Sequence, residues 1–242
     1  MSESRTIVIT GGTKGLGRAA ADAFLAKGDR VWILSRTTPA ATGATPHPRL
    51  RHLVADVRHR DQLDTAVATI RLESPQLDVW INNAGFGKPV PFHDGDNALW
   101  DDMFAVNFWG TVHGTRAALG ALRRPGGVII NIASVVGFMA PRGHSAYATA
   151  KAAVIALTRA NAVEFAAAGI RVNAIAPGPL DTEGFRAAGG DPEKRAQTIP
   201  TKKMITPAEI AAACVFLAEP ISSLTGQTLV IDGGSQAVGC YA

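Results

Sequence analysis

Residues 10–20 read TGGTKGLGRAA, and four glycines fall within seven positions directly behind the apolar run RTIVI. Gly15, Gly17 and Ala20 match the G-x-G-x-x-G/A pattern of strand-to-helix turns that bind dinucleotides, and Gly11 adds a T-G-x-x-x-G-x-G spacing. A bare backbone lets a pyrophosphate approach the helix N-terminus, where N–H groups and the helix dipole favour negative charge. A glycine-rich turn without a ligand has the same signature, so other segments must decide between these interpretations.

Short apolar runs rich in β-branched residues recur along the chain and alternate with longer, alanine-rich stretches of helical periodicity. The runs are RTIVIT, RVWILS, RHLVADV, LDVWINN, GGVIINIAS, GIRVNAIAP and QTLVIDGG. This alternation predicts a parallel sheet with helices on both faces. We therefore expect an α/β fold of the Rossmann type, with one doubly wound domain over residues 1–242.

Two segments interrupt the alternation. Residues 37–49, TTPAATGATPHPR, predict a loop with at most one helical turn, because threonine, proline and alanine dominate them. Residues 177–204 are long, charged and punctuated by glycine and proline. Long irregular segments in such folds are often functional, so we expect a substrate lid at about residues 178–205.

Composition excludes several classes of protein. Hydrophobic residues make up 47% of the chain, but the sequence contains neither an uncharged apolar run long enough for a bilayer nor a signal-peptide pattern. The net charge is +4, but the basic residues are dispersed along the sequence. The six histidines are not spaced as the ligands of a metal ion would be. We therefore expect a cytoplasmic protein that binds no nucleic acid, membrane or metal. The two cysteines, Cys214 and Cys240, are interpreted as free thiols.

Two residues four apart on a predicted helix could carry acid–base chemistry. Tyr147 and Lys151 share one helix face, so an ammonium would lie near the phenol and stabilise its ionised form. Tyr147 could then exchange a proton with a carbonyl or alcohol oxygen. Ser134 follows a predicted strand at the edge where open α/β sheets bind ligands, so its hydroxyl could steady the same oxygen.

The chain resembles the short-chain dehydrogenases/reductases over nearly its whole length. The matching landmarks are TGGTKGLG at 10–17, NNAG at 82–85, Asn107 in AVNFWG, Ser134 in NIASVVG, YATAK at 147–151, PGPLDT at 177–182 and TGQTLVIDGG near the end. The pattern is most similar to the 3-oxoacyl-carrier-protein reductases. The resemblance implies that Lys151 also hydrogen-bonds the nicotinamide ribose, and that Asn107 holds a water that links Lys151 to solvent.

The resemblance also implies further cofactor contacts. Asp56 and Val57, assigned to the end of the third strand, would contact the adenine edge. Asn83, Ala84 and Gly85 would pass beside a ribose, although Asn83 could equally be a structural brace. The remaining expected contacts are those of the glycine loop and of the segment beside the nicotinamide: Gly11, Thr13, Lys14, Gly15, Leu16, Gly17, Pro177, Gly178, Leu180 and Thr182.

The end of the second strand indicates which dinucleotide binds. NAD-dependent folds usually place an acidic residue there, whereas this chain has Ser35 and Arg36. Together with Lys14 in the glycine loop, these residues could recognise a 2′-phosphate on the adenosine ribose. We therefore expect NADPH/NADP⁺ rather than NADH.

The expected activity is the NADPH-dependent reduction of a ketone to a secondary alcohol. The alternatives are an NAD(P)-dependent secondary alcohol dehydrogenase working oxidatively and a non-catalytic dinucleotide-binding sensor. The predicted pocket walls are FGKPV after Gly85, VVGFMAPRGH after Ser134 and the lid. Their residues Phe138, Met139, Phe185 and Ile199 suggest an apolar or aromatic ligand, and His144 could contact it. A fatty acyl thioester, a polyketide, a steroid and a small ketone all stay open.

Two kinds of protein partner are considered. The sequence FAAAGI before the sixth strand lacks the basic residue typical of carrier-protein reductases, although Arg123 and Arg124 could form part of a patch for a carrier protein. Related enzymes pair their C-terminal ends and long central helices, so we expect a homotetramer.

Overall fold

A computed structural model of the protein describes residues 4–37, 47–187 and 189–238. Most of the predicted loop at 37–49 lies outside the described residues, as does Cys240. The helices are α1 (Gly15–Ala26), α2 (Arg60–Glu73), α3 (Asn97–Phe104), α4 (Gly110–Leu119), α5 (Ser145–Phe165), α6 (Glu183–Ala187), α7 (Pro192–Ala196) and α8 (Pro207–Leu217).

The strands form one seven-stranded parallel sheet in the order β3-β2-β1-β4-β5-β6-β7. They are β1 (Thr6–Thr10), β2 (Arg30–Ser35), β3 (Leu50–Val54), β4 (Val79–Asn82), β5 (Val128–Ile132), β6 (Arg171–Pro177) and β7 (Thr228–Ile231). Every predicted apolar run overlaps one of them, so the α/β prediction is confirmed. The order reverses between β1 and β4, which creates the crevice where such sheets bind ligands.

Both faces of the sheet are covered, which explains why its strands are apolar on both sides. On one face α1 and α8 pack against the sheet, and Phe24 and Cys214 are fully buried there. On the other face α2 and α4 enclose Leu63 and Trp80. Side chains of this size stabilise a fold by about 1.5–3 kcal/mol each when fully buried. Burial also raises the pKa of the Cys214 thiol to about 12, so it stays protonated.

A buried polar network fixes α4 and α5 against the middle of the sheet. Asn82 donates to Asn131 at 2.9 Å and to Thr115 of α4 at 3.1 Å, and it accepts from the Trp80 indole at 2.7 Å. Asn131 in turn donates to Thr158 of α5 at 2.9 Å. Unpaired buried amides would be costly, so these bonds specify how α5 is oriented over the sheet.

The predicted lid segment contains two short helices, α6 and α7. Asp191 caps α7 by accepting from the N–H groups of Glu193 and Lys194, and Pro192 occupies the first helical position. Within the described ranges, none of the helices is long and apolar enough to cross a bilayer.

Candidate active site

A cleft of about 980 Å³ opens at the carboxyl ends of the strands. It receives residues from the glycine loop, from the ends of β2 to β6, from α5 and from the lid segment. The sequence-predicted residues that line it are Gly11, Thr13, Lys14, Gly15, Leu16, Gly17, Ser35, Arg36, Asp56, Val57, Asn83, Ala84, Gly85, Ser134, Tyr147, Lys151, Pro177, Gly178, Leu180 and Thr182. The site therefore assembles from segments that are far apart in the sequence.

The glycine loop lies too close to neighbouring backbone for side chains. A Cβ atom on Gly17 would collide with the Gly11 carbonyl oxygen and lie 2.5 Å from the Asn83 amide nitrogen. Gly11 itself has a φ of 69°, a left-handed conformation that glycine adopts without strain. Both positions therefore require glycine for structural reasons.

Asn83 joins the glycine loop to the end of β4. Its side-chain amide donates to the carbonyl oxygens of Thr10 at 2.8 Å and Gly11 at 3.0 Å. The Thr10 hydroxyl accepts from the N–H groups of Asn83 and Ala84. The side chain thus acts as the brace that the sequence allowed, while the backbone of residues 83–85 borders the cleft.

The N-terminus of α1 has the properties of an anion site. No acidic residue lies in its first turn, and Lys14 at the N-cap position makes no capping bond from its side chain to the helix. The first N–H groups of a helix are available to a ligand under these conditions. The bare loop, the uncapped helix and Lys14 together fit the pyrophosphate of a dinucleotide.

Ser35 and Arg36 border the cleft where β2 ends, with Thr37 beside them. Ser35 is 8% exposed, and its hydroxyl donates to the Thr37 carbonyl oxygen at 2.8 Å. Arg36 is exposed. The basic and hydroxyl groups expected for a 2′-phosphate site therefore lie in one part of the cleft.

Asp56 and Val57 follow the third strand instead of ending it, since β3 stops at Val54. Burial would raise the pKa of Asp56, but two hydrogen bonds from the Arg58 guanidinium, at 2.7 and 3.0 Å, and one from its backbone N–H lower it below its usual value. The carboxylate is therefore charged and held by Arg58. The Val57 carbonyl oxygen contacts the His113 ring at 3.0 Å.

Ser134, Tyr147 and Lys151 all line the cleft. Ser134 accepts a hydrogen bond from the Val136 N–H at 3.2 Å, which leaves its hydroxyl proton able to serve an oxygen in the cleft. Tyr147 and Lys151 lie one turn apart on α5, with the Lys151 ammonium 5.8 Å from the centre of the Tyr147 ring. The predicted shared helix face is thus present in the structure.

Lys151 places a charged group in the interior of the protein. Its side chain is 4% exposed, and the ammonium donates to the Ile132 carbonyl oxygen at 2.8 Å. Burial lowers the pKa of Lys151 to about 8. The ammonium remains mostly protonated at pH 7, where it can favour ionisation of the nearby phenol.

Asn107 does not line the cleft, unlike the other predicted catalytic residues. It lies in the π-helical turn Ala105–Trp109, is 0% exposed, and donates its side-chain amide to the carbonyl oxygens of Phe86 and Met103. Its amide oxygen accepts from the Phe86 N–H at 3.2 Å. The structure thus shows Asn107 bonding backbone, and its role in a proton relay stays a prediction.

Gly85 separates Asn107 from Lys151. A Cβ atom there would lie 2.7 Å from the Asn107 amide oxygen and 3.3 Å from the Lys151 ammonium nitrogen. A glycine at this position therefore allows the two side chains to approach the same stretch of backbone.

The predicted lid segment and the end of β6 supply part of the lining of the cleft. Pro177 ends β6, and Gly178 donates its N–H to the Ile231 carbonyl oxygen at 2.9 Å. Leu180 forms an isolated bridge with Ile205, which holds the start of the segment against its end. The Thr182 hydroxyl accepts from the Phe185 N–H at 3.1 Å and retains a proton for a ligand.

The expected apolar substrate wall is only partly correct. Phe185 and His144 border the cleft, but Ile199 is 1% exposed and belongs to the core beside α8. Met139 packs with Val135 and Val136, and Phe138 is also absent from the lining. The sequence of a short loop does not reveal which of its side chains point into the cleft, because that depends on how the loop crosses the edge of the sheet.

Other residues of the cleft come from the segments in which the sequence predicts pocket walls. Phe86 and Gly87 belong to FGKPV, and a Cβ on Gly87 would be 3.5 Å from the Tyr147 ring. Arg142 of VVGFMAPRGH and Arg195 of the predicted lid bring positive charge to the cleft. The sequence did not single out these two arginines, because dispersed basic residues in loops have no periodicity to interpret.

The burial of Lys151 predicts a pH dependence of stability. Its folded pKa of about 8 lies below the value of about 10.4 in an unfolded chain, so the unfolded chain binds more protons between these values. The free energy of unfolding should therefore rise with pH, by about 2 kcal/mol from this group between pH 7.5 and 9.5. Urea unfolding at both pH values measures the change.

Lys151→Met is the control for this measurement, because it keeps the side-chain volume and removes the titrating group. Its unfolding free energy should rise about 2 kcal/mol less than that of the unaltered protein over the same pH range. Equal increments in both proteins would contradict the assigned cause of the shift.

Comparison with known proteins places this geometry in a family. The family model described as enoyl-(acyl carrier protein) reductase matches residues 11–236. The chain is 37% identical to 2-(R)-hydroxypropyl-CoM dehydrogenase of Xanthobacter autotrophicus, over 97% of this chain and 100% of that protein. It is 32% identical to a 3-oxoacyl-[acyl-carrier-protein] reductase of Vibrio harveyi, over 98% and 99% of the two chains.

Solved structures give the same result. Ligand-free aldohexose dehydrogenase of Thermoplasma acidophilum is 30% identical and superposes with a TM-score of 0.89 over 97% of this chain and 95% of its own. The NADP-bound structure of ElxO is 29% identical, with a TM-score of 0.88 over 97% of this chain and 100% of its own. The chain belongs to the short-chain dehydrogenase/reductase family of oxidoreductases.

Proposed function

We propose that this oxidoreductase uses NADPH to reduce a ketone to a secondary alcohol. The observation that carries the proposal is that Ser134, Tyr147 and Lys151 line the same cleft as the uncapped N-terminus of α1. The anion site would hold the dinucleotide, and the three side chains would serve the reacting oxygen. Bound NADPH would supply the hydride.

Each of the three side chains has a distinct task in this proposal. The Ser134 hydroxyl donates to the carbonyl oxygen of the substrate and orients it. Tyr147 gives its phenolic proton to that oxygen as charge develops there. Lys151, charged and desolvated, stabilises the phenolate that remains, an interaction that burial makes stronger than it would be in water.

Asn107 is proposed to complete the proton path, as in the family to which the chain belongs. Its amide oxygen lies near Gly85, the same residue that the Lys151 ammonium approaches. A water held between these groups would pass a proton from solvent through Lys151 to the Tyr147 phenolate after each turnover.

Two other functions were considered against the same observations. Oxidation of a secondary alcohol needs the same residues in reverse, and the name of the Xanthobacter relative describes a dehydrogenase. A dinucleotide-binding sensor would need the anion site but not the catalytic side chains. The presence of Ser134, Tyr147 and Lys151 on one cleft favours an enzyme over the sensor.

The catalytic assignment predicts the effect of Tyr147→Phe. The variant keeps the ring and removes the proton donor, so kcat for the best ketone should fall at least ~10²-fold, while NADPH still binds. A screen of ketones, in which nicotinamide absorbance reports turnover, identifies the substrate. Fluorescence titration then checks cofactor binding. A variant with unaltered kcat would refute the role of Tyr147.

The choice of NADPH is inferred from the adenosine end of the cleft. Arg36 offers a planar set of donors, Lys14 a point charge and Ser35 a hydroxyl, and all three border the cleft. An acid that would repel a phosphate is absent from the end of β2. The NADP-bound structure of ElxO supports the same choice.

This inference predicts a higher kcat/KM with NADPH than with NADH, and a preference that weakens as salt rises. Arg36→Asp combined with Lys14→Ala should raise the KM for NADPH and narrow or reverse the preference. Steady-state kinetics at low and high ionic strength measure both effects. Unaltered enzyme that works better with NADH would contradict the cofactor assignment and the reductive direction inferred from it.

The substrate is proposed to be a small ketone with an apolar or aromatic portion. Phe86 and Phe185 offer aromatic contact near Tyr147, and His144 offers a polar one. A carrier-bound substrate is less well supported, because Arg123 bonds Asp78 at 2.8 Å and Arg124 bonds the Leu119 carbonyl oxygen at 2.6 Å. Residues 178–205 would cover the bound substrate as a lid.

We further propose a cytoplasmic homotetramer. Val163 on α5 is 80% exposed, Phe216 on α8 is 50% exposed, and Leu229 on the terminal strand β7 is 38% exposed. A sheet edge and apolar side chains of this kind are commonly covered by another subunit. Pairing of β7 and α8 across one two-fold axis and of α5 across another would generate a tetramer.

Light scattering at micromolar concentration tests this assembly. The mass should be about four times that of one chain, and Val163→Lys should lower it by placing like charges against each other across the α5 axis. Lys202→Ala, an exposed change in the lid segment, should leave the mass unaltered. A monomer mass for the unaltered protein would contradict the proposal.

A further inference from the structure

The hydroxyl of Ser35 has a second partner behind the cleft. In the parallel pair β2–β3, Ser35 lies opposite Val54 and Ile33 lies opposite His52. Residues opposite each other and residues two apart point to the same face of a sheet, so His52 shares the face of Ser35. Its Nε2 atom lies 2.8 Å from the Ser35 Oγ. His52 does not border the cleft, and it reaches the cleft only through Ser35.

The number of available protons decides the direction of this hydrogen bond. A serine hydroxyl carries one proton and two lone pairs. The Ser35 Oγ is 2.8 Å from the Thr37 carbonyl oxygen, which can only accept, so the serine proton is used there. The contact with His52 must then be donated by the histidine, as Nε2–H to the serine oxygen. His52 is therefore in the tautomer protonated on Nε2.

The environment keeps His52 neutral at physiological pH. Burial lowers the pKa of His52 below its usual 6.5, so the ring carries a single proton at pH 7. A neutral ring protonated on Nδ1 instead would accept the serine proton and leave Ser35 with only lone pairs toward the cleft. Lone pairs repel an anion, whereas a directed O–H attracts one.

We propose that His52 is a positioning residue for the adenosine 2′-phosphate, acting through Ser35. By donating to the Ser35 oxygen, it keeps the serine proton available, so that this proton can turn from the Thr37 carbonyl to a phosphate oxygen. Arg36 and Lys14 supply charge to the cleft, and the His52–Ser35 pair supplies a directed neutral donor. This inference rests on the proposed use of NADPH.

This arrangement should distinguish the 2′-phosphate of NADPH from the 2′-hydroxyl of NADH. A ribose hydroxyl can donate or accept, so it can pair with Ser35 in either orientation of the serine proton. A phosphate dianion can only accept, so it depends on that orientation. Loss of the His52 donor should therefore weaken NADPH binding and leave NADH binding nearly unaltered.

Dissociation constants for NADPH and NADH, measured by calorimetry without substrate, test the proposal. His52→Phe keeps a ring in the strand and removes the donor; it should weaken NADPH binding about fivefold, and NADH binding less than twofold. His52→Gln restores an N–H of similar reach and should recover NADPH binding to within about twofold. His93→Leu, on a histidine side chain that is 81% exposed, is the matched control and should change neither constant.

A double-variant cycle tests whether His52 acts through the serine. Ser35→Ala should weaken NADPH binding at least tenfold, and adding His52→Phe should weaken it no further, because the second hydrogen bond has lost its acceptor. Additive losses would overturn the proposal. If His52→Phe fails to fold, His52→Gln and Ser35→Ala remain: a Gln variant with NADPH binding impaired as strongly as that of Ser35→Ala would also overturn it.

Failure of this inference can be distinguished from failure of the proposed function. Unaltered protein that binds NADPH more tightly than NADH, together with equal effects of His52→Phe on both cofactors, would overturn only the role of His52. Unaltered protein that binds NADH more tightly would overturn the proposed cofactor, and with it this inference.

Discussion

The hydrogen bonds of the Asn83 amide to the carbonyl oxygens of Thr10 and Gly11 are the interaction on which the site depends. They join the ends of β1 and β4, the two strands between which the order of the sheet reverses. The glycine loop has almost no side chains with which to pack, so these bonds define its path. The loop is thus held against the end of β4, and both segments border the cleft.

Buried hydrogen bonds also determine the position of the helix that carries the proposed catalytic residues. Asn82, Asn131 and Thr158 form a chain of hydrogen bonds that fixes α5 to β4 and β5. Tyr147 and Lys151 are carried on that helix, so their position relative to Ser134 follows from a network that contains none of them. Buried networks of this kind orient a site at the cost of tolerance to substitution.

The proposed role of Lys151 would oppose stability in this fold. Placing an ammonium with 4% exposure beside a carbonyl oxygen costs free energy, and its lowered pKa is the measure of that cost. The benefit is electrostatic, because a charge in a site shielded from water acts more strongly on a nearby phenol. The apolar packing on both faces of the sheet offsets the cost.

The sequence by itself determined the alternation of strands and helices, the glycine loop and the spacing of Tyr147 and Lys151, because these depend on local periodicity and backbone freedom. Only the tertiary structure decided that Asn107 bonds the backbone of Phe86, that Ile199 is core, and that His52 contacts Ser35. His52 and Ser35 are 17 residues apart, on neighbouring strands whose register sets the contact. Such contacts depend on how distant segments pack, and a linear pattern carries no record of that packing.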